Sequence, residues 1–220
     1  MIEDVQKLVA AVRVRSVNPR DPVDVRAHPD QWRCIGVGNS AAVFQPKDHP
    51  QIAIKVYADT HTHIASEEAA IYEQLGDSPY FPHFYERGDH FLVMEYKQGT
   101  NLYDCLLQGI HIPEQVIQDV DEAIAYARSR GLNPADIHLK NVLVHEGRGI
   151  LVDVSDYRKH GACKRWEMLK AAYYDYYLDL YKPGLTVPSW VLETIRKWYK
   201  ANEGNGDILR FGERIKRMLF

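Results

Sequence analysis

The chain has 220 residues, of which 45% are hydrophobic and 26% are charged. This length suits one large domain or two small lobes, and the composition is that of a globular protein rather than a disordered, collagenous or coiled-coil chain. Because 27 lysine and arginine residues face 30 aspartate and glutamate residues, the formal net charge is −3. Without an excess of positive charge the chain is poorly suited to hold a nucleic acid or an anionic membrane, and we expect neither partner.

The cysteines and the N-terminus predict a cytoplasmic protein. Cys34, Cys105 and Cys163 are widely spaced and form no Cys-x-x-Cys motif, which argues against a disulfide framework and a structural zinc site. Glu3 and Asp4 precede a short apolar run, the reverse of a basic signal peptide. No apolar stretch reaches the ~18 residues of a membrane span.

The N-terminal 30 residues are predicted to be a helix followed by a connector. Residues 2–13 carry apolar residues at helical spacing. The stretch Asn18–Asp30 contains three prolines, which disfavour a regular helix and indicate an irregular connector. The first lobe is therefore expected to begin at Gln31.

Residues 31–96 are predicted to form a sheet and one helix. Alternating β-branched or aromatic residues indicate three successive strands, and a later pair of strands flanks the turn at Gly88. Between them, residues 62–76 carry an apolar stripe that stops at Gly76, a natural helix terminator. The five strands are expected within residues 32–38, 41–45, 52–57 and 81–96.

Residues 97–220 are predicted to be mostly helical. A long helix is expected over residues 113–131, and two short strands follow it. The short strands are expected at 141–144 and 149–154, and three closing helices at roughly 162–182, 188–201 and 207–219.

A glycine-rich turn is the first candidate site. It lies between two predicted strands and reads Gly36-Val37-Gly38-Asn39-Ser40-Ala41-Ala42-Val43. Glycine allows a backbone to approach phosphate oxygens closely, although an ordinary hairpin turn explains two glycines equally well. The turn is not a Walker A loop, since no Gly-Lys-Ser/Thr follows, and not a Rossmann turn, since a strand comes next.

A lysine inside an apolar strand is the second candidate. Lys55 follows Ala53 and Ile54, and a buried ammonium is costly unless it has a partner. Glu68, on the apolar stripe of the next helix, is the expected partner, whereas Glu67 lies one residue off that stripe. A lone lysine that reaches solvent from a strand edge is the alternative.

Two aspartates and an asparagine are the strongest candidates. Asp136 and Asn141 lie five residues apart between a predicted helix and an apolar strand, and Asp153 ends the next strand. Such side chains supply a base and the oxygen ligands that a hard cation such as magnesium requires. Each residue alone could be a turn cap, but their order and context favour a common site.

In this order the motifs resemble those of the protein kinase superfamily, and in particular the short serine/threonine kinase-like proteins of bacteria. The resemblance covers roughly residues 31–156. It implies an α+β, two-lobed protein-kinase-like fold with a five-stranded antiparallel N-lobe sheet plus one helix over 31–96 and an abbreviated, mostly helical C-lobe over 97–220. The residues that carry it are Val43, Lys55, Glu68, Met94-Glu95-Tyr96, Asp136, Asn141 and Asp153.

The resemblance also implies roles and cofactors, ATP and Mg²⁺. Lys55, held by Glu68, would contact the α- and β-phosphates, and Asp136 would orient the substrate hydroxyl and accept its proton. Asn141 and Asp153 would bind magnesium. The glycine-rich turn would cover the phosphates, and the adenine would contact Val43, Ala53 and Leu143, the gatekeeper Met94 and the backbone of Glu95 and Tyr96.

Several positions depart from the family pattern. Pro134-Ala135 replaces the usual His-Arg, which removes the arginine that reads a phosphorylated activation loop. Asp153-Val154-Ser155 replaces Asp-Phe-Gly, and His138 replaces the lysine two residues beyond the catalytic aspartate. The basic run from Arg158 to Arg165 is interpreted as a solvated surface, and attraction of an acidic substrate or a phosphate is the alternative.

The expected function is ATP- and Mg²⁺-dependent phosphoryl transfer to a serine or threonine hydroxyl of a protein substrate. A pseudokinase that serves as a nucleotide-binding interaction module is one alternative, because two motifs are altered. A small-molecule kinase resembling the aminoglycoside or choline phosphotransferases is another, because His138 is their residue type at this position.

Overall fold

The computed structural model describes residues 5–19, 21–161 and 164–202. The chain divides into two compact units between Gln98 and Gly99. The predicted α+β class and five-stranded antiparallel sheet are confirmed. Among the described helices, none has the combination of length and apolar character that a membrane-spanning segment requires.

Residues 5–19 and 21–30, here called the N-terminal segment, contain a helix and two strands, whereas the sequence predicted a helix followed by an irregular connector over Asn18–Asp30. Helix α1 (Val5–Val9) covers only part of the helix predicted over 2–13, and strand β1 (Arg13–Arg15) follows it. Strand β2 (Asp24–Ala27) pairs antiparallel with β1, and the prolines of the connector flank β2 instead of interrupting it. The segment contributes Val5, Val9, Val12, Val14 and Val23 to the core of the first unit.

The sheet of the first unit follows the predicted pattern of strands. Its order is β3-β4-β5-β7-β6, and each neighbouring pair is antiparallel. The strands are β3 (Trp32–Val37), β4 (Ala41–Pro46), β5 (Ile52–Tyr57), β6 (Phe84–Arg87) and β7 (Phe91–Glu95).

The turn between β6 and β7 requires glycine. Gly88 donates its N–H to the carbonyl of Phe91 over 2.9 Å. A Cβ at this position would lie 2.1 Å from the Phe91 ring. Any larger residue would have to displace that ring, which is 3% exposed and belongs to the core.

Both faces of the sheet are covered, so β5, its central strand, is buried along its whole length. On one face, Trp32, Phe44, Ile54 and Val93 pack with the valines of the N-terminal segment. Helix α2 (Thr62–Leu75) packs against β5, β6 and β7. It ends where Gly76 adopts a φ of 64°, as its glycine predicted.

The second unit is mostly helical, with a small three-stranded sheet of order β10-β9-β8. Strand β8 and helix α3 were not predicted. The elements are β8 (Thr100–Asn101), α3 (Leu102–Gln108), α4 (Glu114–Ser129), β9 (Val142–His145) and β10 (Arg148–Leu151).

The closing helices match their predictions where they are described. Helix α5 (Lys164–Ala172) continues through a π-helical turn (Tyr173–Tyr177) into α6 (Leu178–Leu180), and α7 (Ser189–Ala201) follows. The helix predicted over 207–219 and Cys163 lie outside the described residues.

Candidate active site

One face of the first unit's sheet carries four predicted nucleotide-contacting residues. Val43 pairs with Lys55, and Ala53 pairs with Met94. Opposite residues in an antiparallel pair share a face, as do residues two apart in a strand. Val43, Ala53, Lys55 and Met94 therefore project from the same side, opposite to the side that packs against the N-terminal segment.

Lys55 and Glu68 form a buried ion pair on that side. The Lys55 ammonium donates to both carboxylate oxygens of Glu68, at 2.9 Å and 2.7 Å. Lys55 is 8% exposed and Glu68 is fully buried, whereas Glu67, the rival partner, is exposed. Helix α2 thus supplies the acid from its core-facing side.

Tyr57 is part of this cluster and was missed from the sequence. Its hydroxyl donates to Glu68 Oε2, and the Lys55 ammonium lies 5.5 Å from the centre of its ring. Tyr57 follows Lys55 by two residues in β5, so the strand period was a signal that could have identified it.

The glycine-rich turn carries glycine where the fold does not require it. Neither Gly36 nor Gly38 has a left-handed φ, and a Cβ at either would meet nothing nearer than 3.5 Å. The turn is fixed on two sides: Val23 donates its N–H to the Gly38 carbonyl over 2.8 Å, and Ala58 donates to the Ser40 carbonyl over 2.9 Å. Two such glycines leave space for close approach of a ligand.

The backbone expected to contact adenine is partly engaged within the unit. The N–H of Glu95 donates to the His83 carbonyl over 2.7 Å, and that of Tyr96 donates to the Gln51 carbonyl over 2.8 Å. Because both N–H groups are already bonded within the unit, the adenine contact predicted at Glu95 and Tyr96 would have to use their carbonyl oxygens.

In the second unit, Asp136 and Asn141 lie in the loop between α4 and β9. The Asn141 side-chain amide donates to the Asp136 carbonyl over 3.3 Å, and the Asn141 N–H donates to the His138 carbonyl over 2.9 Å. These bonds fold the loop back on itself. The Asn141 side-chain oxygen takes no part in them, and it is the atom that a magnesium ion would need. Leu143, predicted to line the adenine, lies just beyond on β9, opposite Ile150 and Asn101.

Asp153 lies directly after β10, which ends at Leu151 rather than at the predicted residue 154. Its φ is 66°, an uncommon left-handed value for a residue other than glycine. The Ser155 hydroxyl donates to Asp153 Oδ1 over 2.9 Å. A backbone conformation of this kind persists only where its surroundings impose it, and it occurs often at functional sites.

The donor chemistry of this loop fits magnesium. The N–H of Val152 donates to the Asn141 carbonyl over 2.9 Å. Since Val152 directly precedes Asp153, this bond links the backbones that carry the two predicted magnesium ligands. Carboxylate and amide oxygens are the ligands that a hard cation prefers. Asn141 and Asp153 are thus the residues that would hold the ion.

Asp136 forms an ion pair that the sequence did not reveal. Arg165 Nη1, in the first turn of α5, lies 2.6 Å from Asp136 Oδ1. The guanidinium carbon also lies 4.9 Å from the centre of the Tyr199 ring on α7. Arg165 belongs to the basic run that was interpreted as a solvated surface, and for this residue that interpretation is wrong.

His138 lies in the field of these charges. Burial lowers the pKa of its imidazole, and Arg165 and Lys140 lower it further, while Asp136 and Asp153 raise it. The net shift is downward from 6.5, which favours the neutral ring near pH 7. The Lys140 ammonium lies 4.8 Å from the centre of the Tyr103 ring.

A curated protein of Bacillus subtilis (strain 168) carries the name "Putative serine/threonine-protein kinase YrzF". It is 39% identical to this chain over 180 residues, which are 81% of this chain and 83% of that protein. The chain belongs to the protein kinase superfamily.

The chain was also compared with protein-family models and with solved structures. No protein-family model matches the chain. A crystal structure of a variant PknI kinase domain from Mycobacterium tuberculosis is 21% identical, with a TM-score of 0.45. That match covers 57% of this chain and 60% of the solved one, so the chain spans less than two thirds of its length.

One altered kinase motif has a clear local role. Val154, in place of the usual phenylalanine, is fully buried, and Ser155, in place of glycine, bonds to Asp153. This departure therefore supports the loop that carries Asp153. Just before the other altered pair, Pro134-Ala135, Asn133 donates its backbone N–H to the Tyr157 carbonyl over 2.7 Å.

Proposed function

We propose that this kinase-like chain transfers the γ-phosphoryl group of ATP, with Mg²⁺, to a serine or threonine hydroxyl of a protein. The observation that carries the proposal is the buried pair of Lys55 and Glu68, in which the ammonium contacts both carboxylate oxygens. Buried ion pairs contribute little net stability, since the loss of hydration offsets the attraction. A cation held in this way is better explained by a second, anionic ligand such as a polyphosphate.

The residues around Lys55 support nucleotide binding. Val43, Ala53 and Met94 provide an apolar surface on the same face of the sheet, and Gly36 and Gly38 leave space for a ligand beside the glycine-rich turn. An apolar surface with a few positioned polar groups is the usual character of a site for a small ligand. In the proposed function these residues bind adenine and phosphates, and Lys55 neutralises phosphate charge.

The second unit supplies the groups for transfer. Asp136 would accept the proton of the attacking hydroxyl, and Asn141 and Asp153 would hold Mg²⁺, which when bound neutralises phosphate charge. The identity to the Bacillus subtilis protein, whose name includes serine/threonine-protein kinase, supports a protein hydroxyl as the acceptor.

The test is incubation with radiolabelled ATP and Mg²⁺, followed by mass-spectrometric mapping of phosphorylated residues. Asp136→Ala should reduce transfer at least about 100-fold because the proton acceptor is lost, while nucleotide affinity stays near that of the wild type. Asp179→Ala, which changes an exposed aspartate of α6, is the matched control. Equal transfer by wild type and Asp136→Ala would refute the assignment.

A small-molecule acceptor is the second candidate, and His138 is the observation that favours it. The imidazole lies close enough to Asp136 and Asp153 for both to shift its pKa. The Lys140 N–H donates to His138 Nδ1 over 3.2 Å, so the neutral ring carries its proton on Nε2 and can donate it to a metabolite hydroxyl. Parallel assays with protein and with aminoglycoside or amino-alcohol acceptors would separate the two candidates by the labelled product.

A further inference from the structure

Arg165 is held beside the predicted proton acceptor by contacts with two other parts of the fold. Asp136 comes from the loop after α4, Arg165 from α5 and Tyr199 from α7. The carboxylate contacts one nitrogen of the guanidinium at 2.6 Å, and the Tyr199 ring lies 4.9 Å from its central carbon. These two contacts fix the position of the cation relative to Asp136.

Stability of the fold is a weak explanation for this arrangement. The side chains of Arg165 and Asp136 are 28% and 40% exposed. Ion pairs at such exposure contribute at most about 1 kcal/mol, because water screens the attraction. Substitution of Arg165 is therefore expected to leave the fold intact.

The guanidinium has more donors than Asp136 uses. An arginine presents five N–H groups in a planar fork, and one carboxylate, here contacted by Nη1 at 2.6 Å, can engage only part of that fork. The same fork matches the oxygens of a phosphoryl group. A partly exposed arginine can thus bond to a carboxylate and to a phosphoryl group together.

Phosphoryl transfer next to an aspartate creates a need for such a cation. The acceptor oxygen forms a bond to the γ-phosphorus while the bond from that phosphorus to the bridging oxygen of ATP breaks, and its electron pair leaves with ADP. The hydroxyl proton passes to Asp136. The transferring group carries negative charge close to a carboxylate, so a fixed positive charge at this point lowers the barrier.

We propose that Arg165 is a catalytic residue that binds the non-bridging oxygens of the transferring phosphoryl group while it holds Asp136. The inference rests on the proposed phosphoryl transfer. It places a positive charge from α5 beside the predicted proton acceptor.

The experiment compares wild type, Arg165→Ala, Arg165→Lys and Asp136→Ala, with Lys159→Ala as the matched control. Lys159 belongs to the same basic run, but it is 68% exposed and pairs with Asp156. The measurements are the rate constant of transfer from radiolabelled ATP·Mg, the affinity for a fluorescent ATP analogue, and the melting temperature by circular dichroism.

Arg165→Ala should reduce the rate constant about 100- to 1000-fold, with nucleotide affinity within about threefold of the wild type. Arg165→Lys should retain an intermediate rate, and Lys159→Ala should match the wild type. Millimolar guanidinium chloride should restore part of the rate of Arg165→Ala, whereas sodium chloride at the same ionic strength should not. A merely structural role would not respond to the added cation.

The outcomes separate this inference from the proposed function. If the wild type transfers phosphate and Arg165→Ala does so within about threefold or faster, Arg165 is not catalytic and the proposed function stands. If guanidinium fails to rescue a folded but slow variant, the direct contact is also refuted. If the wild type itself transfers no phosphate, the proposed function and this inference both fall.

Discussion

The backbone N–H of Val152 donates to the carbonyl of Asn141 over 2.9 Å, so the residue before one predicted metal ligand is bonded to the other. The bond joins the loop after α4 to the end of β10, and the left-handed turn at Asp153 follows directly. Two predicted oxygen ligands 12 positions apart in the sequence are thus linked through one main-chain contact. This geometry gives the metal site a precise test.

Replacement of Asp153 by asparagine should weaken the binding of Mg²⁺ and leave folding unchanged. Asparagine keeps the shape and tolerates the left-handed φ of 66°, but it removes the anionic charge that a hard cation requires. The Mg²⁺ concentration for half-maximal transfer should rise at least about tenfold. Asp156→Asn, which changes an aspartate three positions along, is the control. An unchanged Mg²⁺ titration for Asp153→Asn would contradict its role as a ligand.

The Lys55–Glu68 pair should show strong energetic coupling. Lys55→Met removes the ammonium that pairs with Glu68, whose side chain is 0% exposed. Removal of one partner of a buried ion pair typically costs about 3–5 kcal/mol of unfolding free energy. The double variant Lys55→Met/Glu68→Leu should lose less stability than the two single variants summed. Urea unfolding of all three variants measures the coupling.

The control for this cycle is Glu67→Gln, which changes the exposed neighbour of Glu68. It should alter stability by no more than about 0.5 kcal/mol. Simple additivity of the Lys55 and Glu68 changes would show that the pair does not act as a unit.

The titration of His138 should report the charges around it. Arg165 lowers the pKa of this imidazole and Asp136 raises it, so Arg165→Ala should raise that pKa and Asp136→Asn should lower it. Opposite shifts in NMR titrations of the ring are the expected result. Shifts of the same sign in both variants would contradict the observed cluster.

The lowered pKa of His138 also predicts how stability depends on pH. A histidine whose pKa falls on folding binds protons more readily in the unfolded chain than in the folded one. The contribution of His138 to the unfolding free energy is therefore complete above pH 6.5 and is lost as the pH falls below that value. The dependence of unfolding free energy on pH between about 5 and 7.5 should flatten in His138→Gln, since glutamine does not titrate in this range.

Asp119 is expected to stabilise the folded chain through its hydrogen bonds. It accepts hydrogen bonds from Arg148, from the Gly149 N–H and from Gln115, at 2.7–3.1 Å. Burial alone would raise the pKa of this carboxyl, but these bonds outweigh burial and lower it below 3.8. Asp119→Asn should therefore cost about 2–3 kcal/mol of unfolding free energy at neutral pH.

The contribution of Asp119 to the unfolding free energy should be complete above the pKa that this carboxyl has in the unfolded chain. It should disappear as the pH falls through the lower pKa of the folded chain. Asp179→Asn, which changes an exposed aspartate of α6, is the control. A loss of stability for Asp179→Asn as large as that for Asp119→Asn would contradict the assignment.

Sequence reasoning succeeded where local pattern decides the structure. Alternating apolar residues located β3, β4 and β5, and Gly76 marked the end of α2, because strand period and helix termination depend on neighbouring residues. The pairing of Lys55 with Glu68 also followed from position on an apolar stripe.

The features that the sequence did not predict depend on contacts between residues far apart in the chain. Strands β1 and β2 have three and four residues, too few for a visible period, and they exist through their pairing and through burial against the sheet. The pair of Arg165 and Asp136 joins residues 29 positions apart, and nothing local distinguishes Arg165 from the other basic residues near it.

Because the Val23 N–H donates to the Gly38 carbonyl, hydrogen exchange at the Val23 amide should report on the conformation of the glycine-rich turn. The acceptor lies in the glycine-rich turn, but the exchangeable proton belongs to a residue 15 positions upstream, beside the short N-terminal hairpin. Deuterium uptake at this single amide should slow when a nucleotide steadies the turn and quicken when the turn opens. Occupancy could thus be followed without a label on the ligand or on the turn.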